Sequence, residues 1–335
     1  MNPLFATICF AFLPQEDAGG HSLPLDWWTD NLRWAIDESV RGIVNGDGDV
    51  ATLAFFGLDV HKVFSTGNRD IATLTLQPYL TRVDDLVPTP PIFDAKDDWE
   101  LVWRIFNANL KLRQDGALHL RLGHFELPFG LEHTINTNGT LRDYTHGPNF
   151  GIKADWGATV NGDLRSFEYE AGWSRGSGNQ YRDDGGSGVM SARIGTPRDD
   201  DVVLGASFAT GDFRTPAGVV DRWRSGVDAQ FYREDFGYFA ELAVGQDNSS
   251  VDVVRGLGEV NWRNAHETVL CWWQLIASEM DGAMGEVTAV DTRLGIRWTP
   301  AKGWTVSAQY SQVLDGANNT PSRRGALTLQ LRYRF

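Results

Sequence analysis

The chain is poor in cysteine and lysine and has no long apolar run, and each shortage excludes a class of protein. Its two cysteines, Cys9 and Cys271, lie far apart in a chain of 335 residues. They supply neither a disulfide framework nor a cysteine-based zinc site. No C-x-x-C-H occurs that would attach a haem, and no Gly-x-Ser-x-Gly that would mark a hydrolase nucleophile. His119, His124, His133 and His146 fall close together in sequence, but their spacing is irregular and no cysteine assists them. The expectation is therefore no metal, no cofactor and no enzymatic chemistry. The net charge of −14 argues against a nucleic-acid partner, which would require a basic face. The acids gather instead in loop-like stretches such as Asp94 to Asp98 and Asp199 to Asp201.

No stretch of about eighteen apolar residues exists, so no transmembrane helix is available. A chain that enters lipid without helices must close its backbone hydrogen bonds in a barrel, since lipid offers no partner. Two classes remain, a soluble all-β protein and a membrane barrel.

What the chain does have is alternation with a period of two. In the last strand Leu327, Leu329, Leu331, Tyr333 and Phe335 share one face, and Thr328, Gln330, Arg332 and Arg334 the other. Similar rows are Trp304, Val306, Ala308, Tyr310; Leu294, Ile296, Trp298 against Arg293 and Arg297; Leu118, Leu120, Leu122 against His119 and Arg121; and Phe167, Tyr169, Ala171, Trp173 against Glu168 and Glu170. One such strand fits any sandwich, but a series with charged inner faces cannot line a dry core. If one face meets lipid and the other water, the pattern is explained. Trp156, Trp173, Trp262, Trp273, Trp298 and Trp304 then form an aromatic girdle at the headgroups. Trp272 and Tyr232 are left on the inner face.

The connections alternate between short and long. Short ones fall at Gly67-Asn68, Asp115-Gly116, Asn161 to Asp163, Pro197 to Asp200, Glu234 to Gly237, Asn264 to His266 and Pro300 to Gly303. Long ones span Val83 to Asp97, Pro128 to Pro148, Arg175 to Gly188, Gly211 to Gly218, Gln246 to Ser250, Glu279 to Glu286 and Asp315 to Arg324. Membrane barrels put short turns at one end and long loops at the other. The fold expected is all-β, a single antiparallel transmembrane β-barrel of about sixteen strands, or fourteen if the first hairpin is misread. Residues 1–20 read as a signal-peptide-like segment (Leu4, Phe5, Ile8, Phe10, Phe12, then Pro14) without the usual leading positive charge. The barrel is expected over 21–335. Trp27 to Glu38 reads as a short helix, a plug or a first strand.

Two segments resemble known proteins. Leu331, Tyr333 and Phe335, ending an alternating strand at a terminal aromatic, resemble the signal by which barrel-assembly machinery recognises outer-membrane proteins. Gly123-His124-Phe125-Glu126-Leu127-Pro128-Phe129-Gly130-Leu131-Glu132 resembles the segment of phosphate-selective (O and P type) porins in which a strand ends in Gly-x-Phe-Lys-x-Pro-Phe-Gly-x-Glu. The match covers about ten residues. It implies a Gram-negative outer-membrane porin whose third extracellular loop, here Pro128 to Pro148, folds into the lumen and narrows it. Where that family has lysine this chain has Glu126, and it holds only Lys62, Lys96, Lys111, Lys153 and Lys302. The resemblance thus implies passive diffusion of small polar or ionic solutes but carries no substrate.

The candidate constriction residues are Arg104, Arg121, Glu126, Glu132, Arg142, Asp143, Lys153, Arg193, Arg293 and Arg297. Expected partners are outer-membrane lipid, lipopolysaccharide, the assembly machinery and further copies of the chain in a homotrimer. Two other readings compete: a barrel sheathing a partner such as an electron-transfer cytochrome, and a soluble β-rich binding module.

Overall fold

The computed structural model describes residues 29–67, 69–84, 97–179, 186, 188–215, 218–283, 285–316 and 325–335. The signal-like segment 1–20 lies outside the described residues, as do most of the links expected at Val83 to Asp97 and Asp315 to Arg324. Sixteen strands follow one another in an antiparallel meander. They are β1 (Leu32–Asn45), β2 (Val50–Thr66), β3 (Arg69–Val83), β4 (Trp99–Lys111), β5 (His119–Glu126), β6 (Ala154–Leu164), β7 (Phe167–Ser174), β8 (Val189–Gly195), β9 (Val202–Thr215), β10 (Gly218–Arg233), β11 (Phe236–Asp247), β12 (Val251–Arg263), β13 (Val269–Gly282), β14 (Gly285–Ala301), β15 (Trp304–Gly316) and β16 (Ala326–Arg334). Strand β1 pairs with β16 from Asp37–Arg334 to Asn45–Ala326 and closes the barrel. Closure matters because an open edge would leave backbone groups unpaired in lipid.

The molecule is inside out by the standards of a soluble protein. Val40, Phe208, Val227, Leu242, Leu294, Leu329 and Leu331 are exposed, while Asp37, Arg193, Arg224, Asp228, Glu259 and Gln274 are buried. Such a distribution is unfavourable in water and suits a wall with lipid outside and a polar lumen within. The exterior is built for a bilayer, which removes the soluble-module reading. Trp173, Trp262, Trp273, Trp298 and Trp304 face outward and exposed, as expected for the girdle. Trp156 is covered instead: its ring packs on His124 and its indole N–H donates to the carbonyl of Asn179. Trp272 faces inward and donates to Gln309 at 3.1 Å.

Three links read as long from sequence are tight. Strands β9 and β10 are separated by residues 216–217, β11 and β12 by 248–250, and β13 and β14 by 283–284. Polar residues such as Asp212, Gln246 and Glu279 sit inside strands there. Asp212 pairs with Asp221, Gln246 with Asp252 and Glu279 with Thr288. These strands run past the apolar belt, so both faces can be polar and the alternation that marks a strand disappears. The turn expected at Asn161 to Asp163 lies later, because β6 continues to Leu164. The Trp27 to Glu38 stretch contributes a strand from Leu32 onward rather than a helix.

Candidate constriction site

The link between β5 and β6, residues 127–153, is longer than the expected Pro128 to Pro148 and lies inside the barrel. It contains a 3-10 turn, Leu131–His133, and a one-turn helix α1, His146–Phe150. The motif residues fix its entry. Leu127 and Phe129 pack with Phe150, Ile152, Val189, Ala209, Phe213 and Ala243 in a fully buried cluster. Phe150 stacks on Phe213 with ring centroids 5.1 Å apart, and Phe129 meets Phe150 edge-on at 4.9 Å. Gly226 leaves room for Phe129, whose ring stands where a side chain at that position would go.

Gly130 comes next, with φ +55, a conformation that favours glycine. Its N–H donates to Ser207 Oγ at 3.0 Å, and the Leu131 N–H donates to Glu241 Oε2 at 2.8 Å. The Thr145 hydroxyl donates to the other oxygen of Glu241. Glu132 accepts the N–H of His146 at 2.6 Å and so ties the loop's two limbs together. The sequence Pro128-Phe129-Gly130-Leu131-Glu132 is therefore a docking device: an aromatic plug, a glycine hinge and a carboxylate clasp.

Beyond the hinge the loop crosses the lumen. Asn138 donates to Asp37 at 3.2 Å and to the Tyr79 hydroxyl at 3.0 Å, on β1 and β3. The carbonyls of Asn138 and Thr140 accept from Arg332 at 2.9 Å and Arg41 at 3.1 Å. The Asp143 N–H donates to the side-chain oxygen of Gln274 on β13 at 3.1 Å, and the Gln274 amide nitrogen donates back to the Asp143 carbonyl at 2.8 Å. Arg222 of β10 donates to the Asn149 carbonyl at 2.9 Å. One loop thus touches β1, β3, β9, β10, β11, β13 and β16. Buried backbone groups of an irregular segment need such partners, and here the wall supplies them.

The candidate residues form separate groups rather than one ring. Glu126, Arg104 and Lys153 meet at the loop's root, with Arg104 3.3 Å and Lys153 3.5 Å from Glu126. Lys153 also lies 3.3 Å from Glu132. Arg121 pairs with Glu170 at 2.8 Å, and Arg193 with Asp228 at 2.7 Å, on the wall nearer the short turns. Arg142 pairs with Glu259 at 2.8 Å and Asp143 with Arg293. Arg297 has no hydrogen bond or ion pair among the described residues. The loop carboxylates Glu132 and Asp143 are thus bound directly to cations. Most lumen carboxylates are neutralised in the same way, including Asp37 by Arg332, Asp59 by Arg334 and Asp247 by Arg222 and Arg224.

Sequence reasoning passed over two features. Nothing in the sequence singles out Glu241 as the residue that holds both limbs of the loop. Arg255 has two buried guanidinium nitrogens, Nε and Nη1, without a partner. The four histidines do not converge. His124 contacts the Arg104 carbonyl, His146 that of Phe129, His133 meets Arg198, and His119 meets Asn109.

No protein-family model and no curated protein matches the chain in sequence. Solved structures do match in shape. Salmonella typhi OmpF in complex with daunomycin superposes with a TM-score of 0.67 at 13% identity, over 91% of this chain and 97% of that one. This is the porin fold. An anion-selective porin from Comamonas acidovorans gives 0.64 at 9% identity, over 91% and 99%. A trimer form of Vibrio cholerae OmpT gives 0.63 at 12% identity, over 91% and 99%. At these identities the likeness concerns the fold, and the phosphate-selective O and P family is not singled out by it.

Proposed function

We propose that the protein is an outer-membrane channel of a Gram-negative bacterium, through which small polar or ionic solutes diffuse passively past the β5–β6 loop. The observation that carries this reading is the loop's path: it leaves β5, crosses the lumen and is hydrogen-bonded to walls on the far side. A fixed partition across a water-filled barrel sets the cross-section available to solutes. The same partition weighs against the sheath reading, since it occupies the space an enclosed protein would need.

Charge selectivity follows from what is left unpaired. Most lumen carboxylates are bound by arginine or lysine, whereas Arg255 and Arg297 have no ion pair among the described residues. The channel therefore prefers anions weakly, and salt screens the preference because the lumen is wet. Assembly as a homotrimer is part of the proposal, supported by the trimer form among its structural neighbours. Insertion through the assembly machinery, with lipopolysaccharide against the outer rim, accompanies it.

Single-channel recording in planar bilayers tests the reading. Shortening the loop between Leu131 and Tyr144 should raise conductance severalfold in a variant that still shows heat-modifiable migration. If the shortened protein inserts and its conductance is unchanged, the loop is not the constriction.

A further inference from the structure

The wall on the turn side of the β5–β6 loop holds a recess that the constriction does not use. Its back spans four neighbouring strands. Cross-strand pairing sets His119 beside Asn161, Asn161 beside Glu170 and Glu170 beside Arg193. Asp163 stands beside Glu168 one row nearer the turns. His133 of the loop and Arg198 of the β8–β9 link line it from the other sides, enclosing about 140 Å³.

The charges lining this recess balance. Arg121, Arg193 and Arg198 are matched in number by Asp163, Glu168 and Glu170. Each arginine is held: Arg121 by Glu170 at 2.8 Å, Arg198 by Glu168 at 2.8 Å and Arg193 by Asp228 at 2.7 Å. Two groups stay open. His119 Nε2 is buried without a partner, while its Nδ1 faces the Asn109 amide at 3.4 Å. The amide donates to Nδ1, which leaves Nε2 carrying a hydrogen with nothing to receive it. The second open group is Asp163, an exposed residue whose carboxylate has no hydrogen bond to protein among the described residues. A buried donor without an acceptor is costly unless a ligand or water fills the place.

We propose that this recess is a binding subsite for a neutral polyol of monosaccharide size. An anion would find every guanidinium already held and the open Asp163 against it, a cation would lie among three guanidiniums, and either would lose its hydration without compensation. Sugar hydroxyls donate and accept at adjacent carbons. One can receive the His119 N–H while a neighbour donates to Asp163, and the flanking guanidinium–carboxylate pairs serve the rest. The proposal rests on the channel reading, because the lumen is the route by which a solute reaches the recess.

Two measurements on the full-length protein test it. The first is equilibrium dialysis of labelled glucose against the protein in detergent, which needs no conduction. The second is bilayer current in potassium chloride with glucose added on the turn side. Saturable binding and a saturable fall in current are expected, with glucuronate and glucosamine weaker than glucose. His119→Phe and Asp163→Ala, each checked for folding by heat-modifiable migration, should weaken glucose binding at least tenfold. Glucose that binds no better to wild type than to these variants overturns the subsite, and glucuronate binding more tightly overturns the charge argument. A protein that conducts but binds no glucose keeps the channel and loses the recess, and one that binds glucose without conducting does the reverse.

Discussion

Glu241 on β11 accepts the backbone N–H of Leu131 at 2.8 Å, across 110 positions of sequence, and so holds the crossing loop against the opposite wall. The same carboxylate accepts from Thr145 on the returning limb, which makes one side chain the clasp of both. A buried hydrogen bond to a charged group contributes about 1.5–3 kcal/mol, and each 1.4 kcal/mol is about tenfold in population. Glu241→Ala should therefore release the loop roughly ten- to a hundredfold more often, seen as larger and noisier single-channel currents. Quiet currents of wild-type size from this variant would show that the clasp is dispensable.

Gly130 should tolerate no side chain. Its φ of +55 disfavours any β-carbon, and one placed there would fall on the Glu241 carboxylate. Gly130→Ala is expected to reproduce the currents of Glu241→Ala, and the double variant to add little, since both break one contact. Full additivity in loop-opening rate would refute the shared cause.

Glu126 is a neutralised charge rather than a free one, lying between Arg104 at 3.3 Å and Lys153 at 3.5 Å. Glu126→Gln should release Arg104 from its carboxylate, leave Lys153 to Glu132 and move the reversal potential towards anions, and Glu126→Lys should move it further. Raising the salt should shrink both shifts as the Debye length falls below about 10 Å. Equal reversal potentials for all three proteins would place Glu126 away from the ion path.

His133 lies in the loop, outside the strands. Burial, and after it the guanidiniums of Arg198, Arg121 and Arg193, hold its pKa well below the usual 6.5. Arg198 Nη2 stands 3.0 Å from the ring Nε2 and donates to it, which only the neutral ring accepts. In the unfolded chain the ring takes its proton near the usual 6.5, and in the folded chain only at lower pH. Between those two values the unfolded state binds more protons, so stability falls as the medium is acidified and is complete above the upper one. Urea unfolding in micelles should show that slope, and His133→Gln should flatten it. A slope unaltered by the substitution would assign it to other groups.

Phe335 closes the barrel seam. It exchanges backbone hydrogen bonds with Ile36 at 2.9 and 3.1 Å, and its ring packs on Trp34 and Tyr333. Phe335→Ala keeps the backbone bonds and removes the ring, so a sharp loss of surface-exposed protein with synthesis intact would point to recognition of the aromatic itself. Normal surface levels would show that the ring is not read during assembly.

Much of this architecture is legible along the chain because a barrel wall imposes a local rule. Where one face meets lipid and the other water, every second residue must be apolar, and Leu327 to Phe335 states that rule without reference to any other part of the molecule. Near the outer rim both faces meet water and the rule lapses, which is why Asp212, Gln246 and Glu279 read as loop although they lie in strands. The constriction follows no local rule at all. Pro128 to Glu132 announces a turn and a hinge, but its grip on Ser207 and Glu241 depends on side chains that the closing of the barrel carries across the lumen. Charge behaves likewise: the sequence shows acids and arginines on the inner face, and only the pairing of strands decides that Glu126 is spoken for and Arg255 is not. Alternation is set by the solvent on either side of one strand, whereas the state of a charge is set by neighbours that arrive from elsewhere in the fold.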